Sequence, residues 1–267
     1  MPEERRKNVI YNYHAHTYRC SHAFGTEEEY IQRALENGMR HFGFSDHMPL
    51  RFPDGSESHY RVPFSEGKAY CDLILSFREK YKDKLDINVG FEMEYYPEYF
   101  QDMLNSAKAF GAQYLILGQH YLEPENNAIG NVLVETKSKK ELKKYTDTVI
   151  SAMRTGVFTY VAHPDIFNFS GDIGLYRKET QRLACASREL NIPLEINFLG
   201  MRDGRHYPKD DFWQIVGEEK APVTFGFDAH TVESAFDKES ILRAKEIVKK
   251  HNLNYIGKPD LILIQNF

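Results

Sequence analysis

The residues of this chain best suited to chemistry are histidines and carboxylates that recur after short apolar runs. His14 and His16 stand two apart in Tyr-His-Ala-His, and Asp228 and His230 stand two apart in Phe-Asp-Ala-His. Residues i and i+2 of a strand share a face, so each pair can reach one cation side by side. Between the pairs lie Asp46-His47 after Phe-Gly-Phe-Ser, Glu92 after Val-Gly-Phe, His120 after Leu-Gly-Gln, and His163-Pro164-Asp165 after Tyr-Val-Ala. His22 follows His16 by six residues. Any one of these histidines alone would read as a structural or surface residue. Seven at equivalent places after different apolar runs read as a divalent metal centre of two or three ions. Imidazole with carboxylate suits zinc, iron or manganese, and a carboxylate can bridge two of them. His41, His59, His206 and His251 fall outside the pattern; His41 opens its apolar run and belongs at the opposite end.

The elements that must hold these residues alternate in type. Apolar runs of strand length lie at about Val9–His16, His41–Ser45, Ile87–Met93, Tyr114–Gly118, Tyr160–Ala162, Pro193–Asn197 and Val223–Gly226, with a last short one at Leu261–Ile264. Amphipathic stretches follow near Thr26–Asn37, Ser65–Lys80, from Glu98, Ser138–Arg154, Leu175–Leu190, Asp210–Val216 and Lys238–Lys250. Thr26 with Glu29 and Ser138 with Glu141 have the spacing of capping boxes, and Gly38 sits just past a helix end. This order predicts a parallel sheet with helical crossovers. Seven clear units with no linker between them predict one closed, somewhat irregular TIM-like barrel, a single domain spanning residues 1–267. A barrel gathers its strand ends on one face, where active sites form. The polar loop from Pro49 to Pro63 is long enough to be a lid or a plain surface excursion.

Bulk properties narrow the function. The chain has 267 residues, 42% hydrophobic and 27% charged, with a net charge of -5. No basic stripe appears, which argues against long nucleic acid as a partner. No stretch approaches 18 apolar residues, so no membrane span is expected. Met1–Asn8 is charged and lacks the apolar core of a signal peptide. Cys20, Cys71 and Cys185 form no CxxC pair; they fit a reduced, cytoplasmic setting and look poor as a zinc set.

The ordered set His14-x-His16, Asp46-His47, Glu92, His120, His163-Pro164 and Asp228-x-His230 resembles the polymerase and histidinol phosphatase (PHP) superfamily. The likeness runs from His14 to His230. It implies a distorted (β/α)7 barrel and a trinuclear metal site. By similarity, His14, His16, Glu92 and Asp228 hold the first metal. Glu92 bridges to a second, completed by His120 and His163. His22, His47 and His230 hold the third. The chain looks most like the stand-alone histidinol-phosphatase branch, from its length, Cys20-x-His22-Ala23, Glu195-Ile196-Asn197 and Gly200-Met201-Arg202. It departs at one place: members acting on histidinol phosphate commonly carry a basic residue soon after His-x-Asp, and here no Arg or Lys follows Asp165 until Arg177.

The expected chemistry is hydrolysis of a small phosphate monoester, with histidinol phosphate as first choice. A phosphodiesterase or exonuclease on nucleotides, and a non-catalytic metal-stabilised binding domain, are the alternatives. Phosphate oxygens not held by cations want a fork of donors. Arg202 and Arg205, with Arg61 as a further candidate, could supply it, and Tyr121 could add a phenol. Asp46, Asp165 and His230 are the candidates for the general acid, and Asp46 could instead orient a ligand histidine. Oligomeric state is open at this level.

Overall fold

The computed structural model describes residues 9–125 and 130–267; the charged segment Met1–Asn8 lies outside the described residues. Eight parallel strands hydrogen-bond in chain order. They are β1 (Tyr11–Asn12), β2 (His41–His47), β3 (Asp86–Met93), β4 (Tyr114–Leu117), β5 (Phe158–Val161), β6 (Leu194–Asn197), β7 (Pro222–Gly226) and β8 (Asn254–Tyr255). The helices are α1 (Glu27–Glu36), α2 (Gly67–Tyr81), α3 (Phe100–Phe110), α4 (Lys139–Arg154), α5 (Ile173–Leu190), α6 (Phe198–Arg202), α7 (Asp210–Glu219) and α8 (Lys238–Lys250). β2 and β3 are buried almost end to end, as strands covered on both faces must be.

The sheet curls back on itself. Just past β1 and β7, Ala15 bridges Ala229, with His16 N donating to Ala229 O at 2.9 Å and Ala229 N to His14 O at 3.1 Å. That single bridge is the seam of a distorted TIM-like barrel, the fold class expected from the alternation. Below the seam, Tyr11 shares hydrogen bonds with Thr224 and Tyr255, and the Tyr114 phenol donates to the carbonyls of Tyr13 and Phe44. Aromatic rings of Tyr11, Tyr13 and Tyr114 thus pack in the barrel's lower half. Among the described residues, no helix is long and apolar enough to cross a membrane.

Three local expectations need correction. The first strand is two residues long rather than eight, because the Asn12 side chain takes the amide of His14 and breaks the ladder. Leu261–Ile264 is not a strand. Thr159 Oγ1 takes the amide of Ile262 and Gln113 O that of Ile264, so the segment crosses the strand starts. An eighth strand lies instead at Asn254–Tyr255, paired with β7. The capping box at Thr26 is complete, but Ser138 makes only half of one: it accepts from Glu141 N, while the Glu141 carboxylate accepts from Thr136 Oγ1. The loop from Pro49 to Pro63 is anchored at its ends by buried Leu50, Phe52, Arg61 and Val62, while Pro53–Glu57 is exposed.

Candidate metal centre

Every strand from β2 to β5, and the segments after β1 and β7, delivers a side chain to one point. His14 and His16 enter beside the seam, and Asp228 and His230 enter from its other side. β2 ends in His47 and β3 carries Glu92. His120 and His163 lie just past β4 and β5, their rings 4.9 Å apart. His22 comes from the first loop, its ring 4.8 Å from His230 and 5.3 Å from His47. The two-residue spacing read from sequence is realised, though neither pair sits in a regular ladder. Asp228 and His163 adopt positive φ, 48° and 30°, a conformation that costs on the order of 1–3 kcal/mol at a non-glycine residue. The surrounding packing enforces both.

The donor set fits divalent metal. Two donors about 2.1 Å from one tetrahedral ion stand about 3.4 Å apart. Around Glu92, His14 Nε2 lies at 3.6 Å, His16 Nε2 at 3.7 Å, His47 Nδ1 at 3.1 Å, His120 Nε2 at 3.6 Å and His163 Nε2 at 2.7 Å. Asp228 Oδ1 is 3.6 Å from His14 Nε2 and 3.2 Å from His16 Nε2. His14 Nε2, both nitrogens of His16, His47 Nδ1 and Glu92 Oε2 are buried with no hydrogen-bond partner. Buried polar atoms left in this state are costly, and here they face one another. Triads close enough to share an ion include His14-Glu92-His163, His14-His16-Asp228 and His16-His47-His230.

The electrostatics ask for positive charge. Burial alone would lower His14 and His16, but Glu195, Asp228 and Glu92 hold His14 well above its ordinary value. Asp228 and Asp46 raise His16 to about 9 against the same burial. Burial would raise Glu92, yet His120 and His14 keep it well below the usual carboxylate range. His47 and His230 are pushed well below their ordinary values by burial and then by His16. Neutral imidazole is the ligand form.

A buried outer layer sets the ring orientations, and sequence reasoning missed most of it. Glu195 accepts from His14 Nδ1 at 2.8 Å and from Asn197 Nδ2 at 2.7 Å, and Asn197 also donates to Asp228 Oδ2 at 3.0 Å. Glu94 accepts from His120 Nδ1 at 2.8 Å. Glu92-x-Glu94 and Glu195-x-Asn197 carry the same two-residue spacing as His14-x-His16, which was the available signal. The two inner carboxylates need room: a Cβ on Gly118 would collide with Glu92, and one on Gly226 with Glu195. Cys20, set aside from sequence, has its sulfur within 4.8 Å of ligand nitrogens of His22 and His230.

The centre opens into a cavity of about 1110 Å³ whose lining includes Arg202, Arg205, Tyr121, Tyr207 and Tyr60. Arg202 donates to the carbonyl of Asp228 at 2.9 Å and pairs with Asp237 at 3.4 Å. Arg205 is paired with Asp203 and donates to the Tyr207 phenol at 3.1 Å. Tyr121 stacks on Tyr60, ring centroids 6.0 Å apart. His59, placed outside the pattern from sequence, lines the cavity as well. Arg61 does not: it is buried against Glu94 and Glu125. Of the acid candidates, Asp46 accepts from Thr17 N, Thr17 Oγ1 and His47 N and lies 3.5 Å from His16 Nδ1. Asp165 is not brought to the cavity; Lys209 N and the Trp213 indole hold it from the α7 side. His230 is held neutral, a poor state from which to give a proton.

The PHP domain profile matches residues 12–198, most of the chain. The chain belongs to the PHP domain family. Asp228 and His230 lie beyond the matched stretch but stand beside His14 and His16 in space. Among curated proteins, the chain is 26% identical over 225 residues to a probable histidinol-phosphatase of Deinococcus radiodurans, covering 81% of this chain and 85% of that one. It is 23% identical over 247 residues to the histidinol-phosphatase of Bacillus subtilis, covering 81% and 92%. A crystal structure of histidinol phosphate phosphatase from Lactococcus lactis subsp. lactis, complexed with zinc, L-histidinol and phosphate, shares the PHP fold. Its TM-score is 0.69 at 18% identity, over 94% of this chain and 99% of that one.

Proposed function

We propose that this protein is a metal-dependent phosphomonoesterase that hydrolyses histidinol phosphate to histidinol and phosphate. The observation that carries the reading is the convergence of seven histidines with Glu92 and Asp228, in which ring nitrogens of His14, His16 and His47 and one oxygen of Glu92 are buried without a hydrogen-bond partner. The histidinol-phosphatase relatives supply the substrate. We assign His14, His16, Glu92 and Asp228 to one ion, Glu92, His120 and His163 to a second, and His22, His47 and His230 to a third. Zinc, iron or manganese suits these donors. Bound there, such ions would neutralise phosphate charge and make water a better nucleophile at neutral pH.

The chain's own residues do the rest. Glu195 and Glu94 fix the rings of His14 and His120 by hydrogen bonds, so that no rotation is needed when substrate arrives, and Asp46 lies 3.5 Å from His16 Nδ1. Arg202 and Arg205 present guanidinium donors from the cavity wall, and Tyr121 a phenol. These loops stand in for the basic residue missing after Asp165, where Ile166 lines the cavity instead. Asp46 orients rather than donates, and Asp165 anchors α7; neither is proposed as the acid. The test is turnover by metal-replete protein on histidinol phosphate, other small monoesters and a nucleotide diester. Histidinol phosphate should give the highest kcat/KM. Cleavage of the diester alone would move the assignment to nucleotides, and no turnover at full metal loading would leave a binding domain.

A further inference from the structure

Arg61 is only 2% exposed, a costly place for a charge unless every part of it is paired. It does not line the cavity, so it is not held there to meet substrate. Its fork reaches four groups. Nε donates to Glu125 Oε1 at 2.5 Å, Nη2 to the Tyr60 phenol at 3.0 Å, and Nη1 to the carbonyl of Met48 at 2.9 Å. Nη1 also lies 2.8 Å from Glu94 Oε2, an ion pair off the N–H axis. The other oxygen of Glu94 takes the Nδ1 proton of His120. Met48 directly follows His47. One guanidinium thus braces the chain beside two of the assigned ligands without touching either.

The same guanidinium fastens the loop it sits on. Glu125 gathers Ser58 Oγ at 2.7 Å and the Tyr96 phenol at 3.1 Å as well as Arg61, and is held down to about 2 against burial by that pairing. Tyr60 stands edge-on to His47, 5.3 Å between centroids. We propose that Arg61 is a positioning residue: through Glu94 it fixes His120, and through Glu125 and Tyr60 it locks the end of the 49–63 loop, whose His59 and Tyr60 line the cavity. The proposal rests on the metal reading of His120.

The experiment compares wild type with Arg61→Met, Glu94→Gln, Glu125→Gln and the Arg61→Met/Glu94→Gln double variant. Zinc retention against a chelator, KM for histidinol phosphate and limited proteolysis are measured on each. In Arg61→Met and Glu94→Gln, one zinc equivalent should be held ten- to hundredfold more weakly, the usual effect of losing a ligand's hydrogen-bond partner. The double variant should lose little more than either single one. Glu125→Gln should keep its zinc but show faster cleavage within residues 49–63 and a higher KM. Wild-type zinc retention in Glu94→Gln, or losses that multiply in the double variant, would overturn the route through Glu94. Should Arg61→Met fail to fold, Glu94→Gln and Glu125→Gln still decide. A wild type that binds no zinc would remove the metal reading, and the proposal with it, before any variant is compared.

Discussion

Glu92 lies within 3.7 Å of ring nitrogens of five imidazoles. Glu92→Ala should abolish turnover and lower metal content together. Glu92→Gln should fail too, because a neutral amide bridges cations poorly. Either variant with full metal and full activity, by elemental analysis and assay, would contradict the bridging role. The two cavity arginines should separate. If Arg205 holds phosphate as proposed, Arg205→Ala should lose a charge-assisted pair worth about 1.5–3 kcal/mol, a ten- to hundredfold fall in kcat/KM, with metal unchanged. Arg202→Ala should lower kcat/KM and also weaken metal binding, because Arg202 holds the backbone of Asp228. Equal metal retention in the two variants would refute that distinction. The inner residues were legible because imidazoles after apolar runs stand out. Glu94, Glu195 and Tyr207 were not, since a carboxylate or phenol near a strand end has many ordinary uses.

At the scale of elements, the alternation of apolar runs and amphipathic stretches carried the barrel, and Thr26 marked a helix start to the residue. What stayed hidden was set by contacts far along the chain: Asn12 interrupting β1, and Thr159 and Gln113 turning residues 261–264 across the strands. The short α6, which carries Arg202, was missed because Asn197 caps it immediately at the end of β6. Asp165 ties β5 to α7 and has its own signature in pH. Its carboxyl is pushed from 3.8 up to about 6 by burial, against the hydrogen bond from Lys209. The folded state then binds this proton more tightly than the unfolded chain, so the contribution is fully present below about 3.8 and is lost as pH rises through about 6. The shift corresponds to on the order of 3 kcal/mol. In metal-free protein, Asp165→Asn should therefore gain thermal stability on wild type as pH rises across that window. A difference that stays constant with pH would refute the buried-carboxyl account.

For the whole molecule, the seam between the Ala15 and Ala229 segments matters most. His14 and His16 stand on one side of it, and Asp228 and His230 on the other. Chelation should lower the melting temperature, and the amides of His16 and Ala229 should lose protection from hydrogen exchange ahead of those in the β2–β3 ladder. Opening the seam pulls the two donor groups apart, so any ion shared across it must leave. Mass action then governs the opening: for each ion released, protection at these two amides should rise about tenfold with each tenfold increase in free metal. The slope of that dependence counts the ions that straddle the seam. A slope of zero would mean that each is held from one side only.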